Sequence, residues 1–352
     1  MQVDFLIVGQ GLAGTLLAQA LCARGQTIAV VDDGGKSSAS KVAAGLLTPL
    51  TGRRFTLAPA YPELFAFAER RLTALGVFHP HRVYRMFADE EQKAKVLQRV
   101  AQPAFAVFID RVTAAQGEID SGLTDTLGGV LMRGAWVDLP KLLSAERDRL
   151  QAAGSYFSAH FDPAELSVEP PGIRWQTVQA RGVIYCDGYK SAQRGPFTYM
   201  PWRPAKGEAL SLRSDAPQKP FILNREGWAL PLGEGRWRTG TNWAWEGLDE
   251  TPTEVQKEKL LRRFRSYFTQ GVSVEVTAHA AGVRPCTADN MPFLGTHPEQ
   301  SRFHLFNGLG PRGTVWAPQL AEEMADFLVH GKPVRPECAI TRTVTSRAGS
   351  DV

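Results

Sequence analysis

Three glycines carry the first chemical signal. The stretch "VGQGLAG" holds Gly9, Gly11 and Gly14 in the G-x-G-x-x-G spacing. Gly9 suits a tight turn, Gly11 lets backbone approach a pyrophosphate, and Gly14 lets a helix pack closely on a strand. The helix that follows, with Leu12 and Ala13 in its first turn, would aim its free amides at the anion. Asp32 stands 18 residues after Gly14. An acid there accepts hydrogen bonds from ribose hydroxyls and repels a 2′-phosphate. Asp33 is a second candidate, with a solvated turn as its competing reading. The chemistry indicated is dinucleotide binding, and the fingerprint does not separate NAD from FAD.

A second glycine-rich stretch lies near the other end. "NGLGPRG" runs from Asn307 through Gly308, Leu309, Gly310, Pro311 and Arg312 to Gly313, and Thr314 then opens a helix. Amides in such a loop can face an electron-rich ring edge or an anion. Arg312 or the helix dipole would stabilise negative charge there; a capping loop with a solvated Arg312 is the alternative. A third stretch, "SKVAAGLLTPLTGRRF", begins small and apolar, passes a proline and ends on Arg53 and Arg54. Those two arginines would sit at a pocket mouth or on a solvated turn.

The elements that must position these residues follow from periodicity. "DFLIV" is a continuous apolar strand of the buried parallel type. "LAGTLLAQALCARG" has helical spacing stopped by Gly25, and "TIAVVDD" is the next strand. The middle of the chain is a run of short strand-like pieces separated by turn signals, among them "RVYRMFAD", "KGEALSLRS" and "SVEVTAHAAGVRP", which predicts a largely antiparallel sheet. "PKLLSAERDRLQAAG", "TEVQKEKLLRRFRSYF" and "APQLAEEMADFLVHG" have helical spacing, and "GVIYCDG" returns as a buried strand ending at Asp187 and Gly188. The expectation is an α/β fold: a Rossmann-like nucleotide-binding domain interleaved with a mainly antiparallel α+β substrate domain. The first would comprise 1–75, 139–205 and 275–335, the second 76–138 and 206–274, with a poorly ordered polar tail over 336–352.

Composition narrows the class. The 352 residues are 43% apolar and 22% charged, which suits a chain with a proper core. A net charge of +4 is too small to argue for nucleic acid by itself. Arg70-Arg71 and the Arg262–Arg265 run are read as solvated faces. Four scattered cysteines suggest a reducing compartment. The first apolar run already reads as a strand, so no leader is expected, and no apolar stretch is long enough to span a bilayer; the expected location is the cytoplasm. His79 and His81 lack metal-site neighbours, and no metal is expected.

Six separated segments carry a resemblance. The fingerprint with Asp32, "SKVAAGLLTP", "GAWVDLPKLLSA", "VIYCDGYKS", "AGVRPCTADNMPFLG" and "NGLGPRGTVWAPQLAEEMADFL" together resemble the D-amino-acid oxidase superfamily of FAD-dependent oxidoreductases, the group with glycine oxidase and sarcosine oxidase. The resemblance spans roughly 3–332. It implies FAD, bound non-covalently, because the offset of Cys286 from Asp289 does not fit a covalent attachment. It implies flavin contacts from Ser40, Lys41, Ala43, Ala44, Gly45 and Leu46, where backbone would pass along the ring, and from Asp187, Gly188 and the 307–314 loop. Arg284 matches the position that often holds a substrate carboxylate, a grip suited to a guanidinium. Its competing reading is a structural salt bridge. Trp228 stands where a tyrosine is common, which puts free amino acids in doubt. Trp243 and Trp245 read as sheet packing or as aromatic walls, and His279 as a satisfied sheet histidine.

The reaction implied is oxidation of the C–N bond of a secondary amine or amino acid by hydride transfer to the flavin, with oxygen or another acceptor reoxidising it. No obligate catalytic base is assigned. "NGLGPRG" is also similar to the loop of the FAD domain in the bifunctional enzyme that matures tRNA wobble uridine. That makes a carboxymethylaminomethyl group on tRNA an alternative substrate, although no methyltransferase half is expected because the chain starts at the fingerprint. A third reading is an FAD-binding subunit or scaffold without turnover.

Overall fold

A computed structural model describes residues 1–34, 38–50, 57 and 59–342. Arg53 and Arg54 lie outside the described residues. Two sheets organise the chain. In the first, neighbouring strands run in the order Phe293–Thr296, Phe303–Asn307, Val178–Tyr185, Gln2–Val8, Ile28–Asp32 and Tyr156–Ser158. The Gln2–Val8 strand pairs in parallel with both Ile28–Asp32 and Val178–Tyr185. Both of its faces are covered, which explains why "DFLIV" is apolar without alternation. Phe5 and Ile7 pack among the helices Leu12–Cys22, Leu139–Ala152 and Gly313–His330, whereas Leu6 and Val8 pack with Trp175, Tyr185 and Phe197 on the other side. Full burial of each such aliphatic side chain stabilises by about 1.5–3 kcal/mol.

The second sheet runs Val274–Arg284, Ala205–Ser214, Arg236–Gly240, Trp228–Pro231, Phe221–Asn224, Phe78–Met86, Gly129–Val137 and Leu46–Leu47. Its pairs are antiparallel except one: Phe221–Asn224 lies parallel to Phe78–Met86. No hairpin joins those two strands, since the chain between them passes through the first sheet, so nothing local imposes the antiparallel sense. The alternation of residues sorts this sheet into two faces. Tyr84, Met86, Leu210 and Leu223 pack under the helix Glu254–Arg265 through Leu260 and Phe264. Val83, Phe87, Ile222 and Leu230 face the other way, toward Ala44 and Leu50.

The polar stretch after Pro336 departs from expectation as far as Arg342. Ile340 donates its amide to the Leu294 carbonyl at 2.9 Å, and Arg342 grips Asp289 at 2.9 and 3.1 Å while stacking on Phe293. Cys338 is fully buried. A single apolar and ionic anchor holds what composition alone marks as tail. Among the described residues, no helix is long and apolar enough to cross a membrane.

Candidate functional site

The carboxyl end of the Gln2–Val8 strand delivers the first part of the site. Gly9 has φ +96°, and a side chain there would meet the Cys186 carbonyl at 2.7 Å. Gly14 is tighter: a Cβ would lie 1.9 Å from the Gly9 carbonyl oxygen. The third glycine of the fingerprint therefore seats the helix on its own turn. That helix begins at Leu12 with no side-chain cap from Gly11 and no acid in its first turn. The Leu12 amide donates to Ser40 Oγ at 3.0 Å, so the Ser40 hydroxyl stands beside the positive end of the helix. Asp32 accepts from the Gln10 amide at 2.7 Å and from the Gly34 amide at 2.8 Å. Two backbone donors thus hold the carboxylate in place, and it still borders the cavity. Asp33 is an exposed residue at the cavity rim that pairs with Lys190, in keeping with its solvated reading.

The second part comes from three segments that meet beyond the turn. Helix Ala39–Val42 leads into Ala43, Ala44 and Gly45, with Arg238 donating to the carbonyls of Val42 at 2.7 Å and Ala43 at 3.1 Å. Gly45 has φ +70°, and its missing Cβ makes room for the Val137 carbonyl, 2.2 Å from where that atom would be. The bareness of this position serves the sheet as well as any ligand. Asn307 stitches the third segment to the second: its Nδ2 donates to the Gly188 carbonyl at 3.0 Å and to Ser191 Oγ at 3.1 Å. The turn Gly310–Arg312 runs directly into the helix Gly313–His330, whose N-terminus has no side-chain cap. Thr314 ties that helix to the Leu46 carbonyl at 2.9 Å.

Asp187 accepts a hydrogen bond from the Ser191 hydroxyl. Burial is the largest influence on it and pushes its pKa up to about 6 from an ordinary 3.8, against the pull of Ser191. The folded state then holds the proton more tightly than the unfolded chain. Stability is highest below the ordinary value and is lost as pH rises through about 6. The loss amounts to at most about 3 kcal/mol at 1.36 kcal/mol per unit. In flavin-free protein, Asp187→Asn is expected to raise the urea midpoint relative to the parent at pH 8 and to leave the two equal near pH 4. A midpoint difference that does not vary between those pH values contradicts a raised pKa.

The third part lies on the inner face of the second sheet. Arg284 ends the strand Val274–Arg284 and crosses to the neighbouring strand, where a Cβ on Gly207 would sit 2.1 Å from its Nη2. Its guanidinium therefore lies flat on bare backbone. The ring of Trp243 covers it at 4.3 Å, Thr241 Oγ1 accepts from Nη2 at 2.6 Å, and the Asn242 carbonyl accepts from Nη1 at 3.3 Å. Among the described residues no carboxylate pairs with it, so the salt-bridge reading is not what the structure holds. Burial lowers its pKa, which marks a cation kept from water without a counter-charge. Trp228 is set the same way: its Cζ2 lies 2.6 Å from where a Cβ of Gly240 would be.

One cavity of about 950 Å³ joins these three parts. It runs from Asp32 and the fingerprint, past 43–46 and 309–314, to Trp228 and Arg284. Of the residues assigned to cofactor or substrate from sequence, Gly14 and Gly308 stand behind its wall; Gly308 has φ +76° and abuts Thr287. The others, Arg53 and Arg54 excepted, border it. Several lining residues carried no sequence signal, among them Tyr61, Arg85, Asn224 and Thr241. Trp243 also lines it, and only Trp245 is a surface ring, stacked on Trp243 at 6.4 Å. His279 is indeed satisfied, by Glu208 at 2.8 Å.

The cavity has the features of a dinucleotide site. Two helix N-termini lack side-chain caps, the Asp32 carboxylate is fixed at the end of the second strand, and the buried Tyr61 hydroxyl borders the cavity with no hydrogen-bond partner among the described residues. A buried hydroxyl left unpaired costs about 1–3 kcal/mol, which a polar ligand would recover. These residues fit FAD.

Comparison with known proteins agrees with the geometry. The family described as FAD dependent oxidoreductase (DAO) matches residues 4–327. The chain is 26% identical over 371 residues to the tRNA 5-methylaminomethyl-2-thiouridine biosynthesis bifunctional protein MnmC of Azoarcus sp. (strain BH72), covering 94% of this chain and 57% of that protein. It therefore spans little more than half of that relative. It is 25% identical over 359 residues to glycine oxidase of Pseudomonas putida, covering 95% and 96% of the two chains. The crystal structure of glycine oxidase from Geobacillus kaustophilus superposes with a TM-score of 0.79 at 21% identity, over 98% of this chain and all of that one.

Proposed function

The chain belongs to the DAO family of FAD-dependent oxidoreductases, and from that premise we propose that it oxidises the C–N bond of a secondary amine or amino acid that carries a carboxylate. The observation behind this reading is Arg284: a guanidinium turned into the flavin cavity, clamped by Trp243 and Gly207, with no acid of its own. A substrate carboxylate would complete it through two parallel hydrogen bonds. FAD, when bound, supplies the two-electron acceptor for the C–H bond next to the amine. The protein's part is placement. Ser40, the fingerprint amides and Asp32 would hold the nucleotide end. The N-terminus of Gly313–His330 would stabilise negative charge at the far ring edge, and Trp228 would wall the substrate. No side chain is assigned as a base, which an amine bound in its neutral form does not need.

Cys286 bears on the mode of flavin attachment. It is buried beside Gly310, absent from the cavity lining, and its thiol is pushed up to about 11 by burial. A thiol that stays protonated is a poor nucleophile, which supports a non-covalent flavin. The division into an FAD unit (1–75, 139–205, 275–335) and a substrate unit (76–138, 206–274) is part of the same proposal, as are oxygen or another acceptor for the electrons and a cytoplasmic location.

The test is anaerobic mixing of the yellow protein with a panel of amines. Carboxylated secondary amines and small amino acids are expected to bleach the flavin, and amines without a carboxylate to do so at least tenfold more slowly. A flavoprotein that no amine reduces would instead be a binding subunit. A second reading is supported by the bifunctional relatives: the amine would be a carboxymethylaminomethyl group on tRNA uridine. The tRNA nucleoside profile of a strain lacking this gene decides it, since an unchanged profile removes that reading.

A further inference from the structure

The inner face of the second sheet holds a second arginine. Arg85 lies on Phe78–Met86, between Tyr84 and Met86, which point under the helix Glu254–Arg265. Alternation turns Arg85 to the opposite face, toward the cavity it lines. It is 8% exposed, and its Nη1 donates to the Leu50 carbonyl at 3.2 Å. Burial pushes its pKa down to about 10. A guanidinium this far from water raises the affinity of the space beside it for an anion.

Strand register fixes where Arg85 stands relative to Arg284. Arg85 pairs with Asn224, Asn224 with Trp228, Trp228 with Gly240, and Gly240 with Ala209, forming one row across five strands. Arg85, Asn224, Trp228 and Ala209 of this row all line the cavity. At about 4.8 Å per strand, the row spans about 19 Å between the α-carbons of Arg85 and Ala209. Arg284 lies over Gly207, two residues along from Ala209. The two cations therefore close opposite flanks of the substrate end, with the indole of Trp228 between them. With their backbone positions near opposite ends of that row, two anionic groups suit them better than one.

We propose that Arg85, with the Asn224 amide beside it, forms a second anion subsite, and that the substrate is an elongated secondary amine with an acidic group at each end, of the N-(carboxyalkyl) amino acid class. This rests on the assignment of Arg284 to the first carboxylate. The competing role for Arg85 is structural support of Leu50, and the experiment separates the two.

The holoenzyme is titrated with ethers that cannot be oxidised at nitrogen: methoxyacetate, with one carboxylate, and a series of ether dicarboxylates of increasing chain length. Binding is read from the perturbation of the visible flavin spectrum. One length of diacid is expected to bind at least about tenfold more tightly than methoxyacetate, as a charge-assisted contact allows. Arg85→Met is expected to collapse that ratio to about one, Arg85→Lys to restore part of it, and Arg284→Met to weaken both ligands. If no diacid outbinds methoxyacetate, or if Arg85→Met weakens both ligands by the same factor, the second subsite is overturned while the reading of Arg284 stands. If Arg284→Met leaves methoxyacetate binding intact, the first subsite fails and the second fails with it.

Discussion

Arg284→Met is expected to lower kcat/KM for a carboxylated amine by about two to three powers of ten, with FAD content and melting temperature close to the parent. The size follows from removing one partner of a charge-assisted pair, which costs about 2–5 kcal/mol. Gly207→Ala should lower kcat/KM by a comparable factor, although it deletes no charge. A Cβ at 207 would stand 2.1–2.5 Å from three atoms of the guanidinium. Those atoms are the free end of a long side chain, so the arginine moves and the fold does not. Moving it loses the Trp243 stack and the Thr241 hydrogen bond together. Steady-state kinetics with flavin content measured in parallel check both variants. Gly207→Ala with parental kcat/KM would show that the observed placement of Arg284 is not the one used.

Gly14→Ala is expected to yield protein with little or no bound FAD and a melting temperature several degrees below the parent. Here the obstructing atom is backbone: the added Cβ would be 1.9 Å from the Gly9 carbonyl oxygen. Either the helix Leu12–Cys22 lifts from the sheet or the Gly9 turn opens, and both displace the amides that would meet the pyrophosphate. Overpacking of this kind costs about 1–3 kcal/mol or more. Gly11→Ala is the comparison. Among the described residues its Cβ would meet just the Ser40 side chain, with Oγ at 3.2 Å, so it should hinder the ligand with little loss of stability. Absorbance at 450 nm against protein concentration, and a thermal melt, separate the two effects. Equal melting temperatures for both variants would contradict a packing role for Gly14.

The end of the cavity around the fingerprint was legible in the sequence because its determinants are local. Gly9, Gly11, Gly14 and Asp32 lie within one strand–turn–helix–strand unit; the glycines act through backbone geometry and Asp32 through its place at the strand end, and a linear spacing records both. The 307–314 loop was legible for the same reason, as a glycine-rich turn at the start of a helix. Gly45 shows the limit of that reasoning. Its bareness suggested a ligand against the backbone, but the carbonyl that excludes a side chain belongs to Val137, 92 positions away. The stretch from Pro336 to Arg342 shows it again, since polar composition said nothing of an anchor on Asp289.

The substrate half depended on pairing across strands. Arg284, Gly207 and Trp243 are separated in sequence, and nothing in any one segment says that a guanidinium will lie on a glycine under an indole. Arg85 reads as one more charge in "RVYRMFAD" until register sets it in line with Asn224 and Trp228. Family and cofactor were written into contiguous motifs, where backbone conformation follows from residue type. Which cations of the second sheet face the cavity, and what they face across it, was decided by the pairing of its strands. A strand's inward side depends on the register of its partners, and a one-residue slip would turn Arg85 and Trp228 away from the cavity.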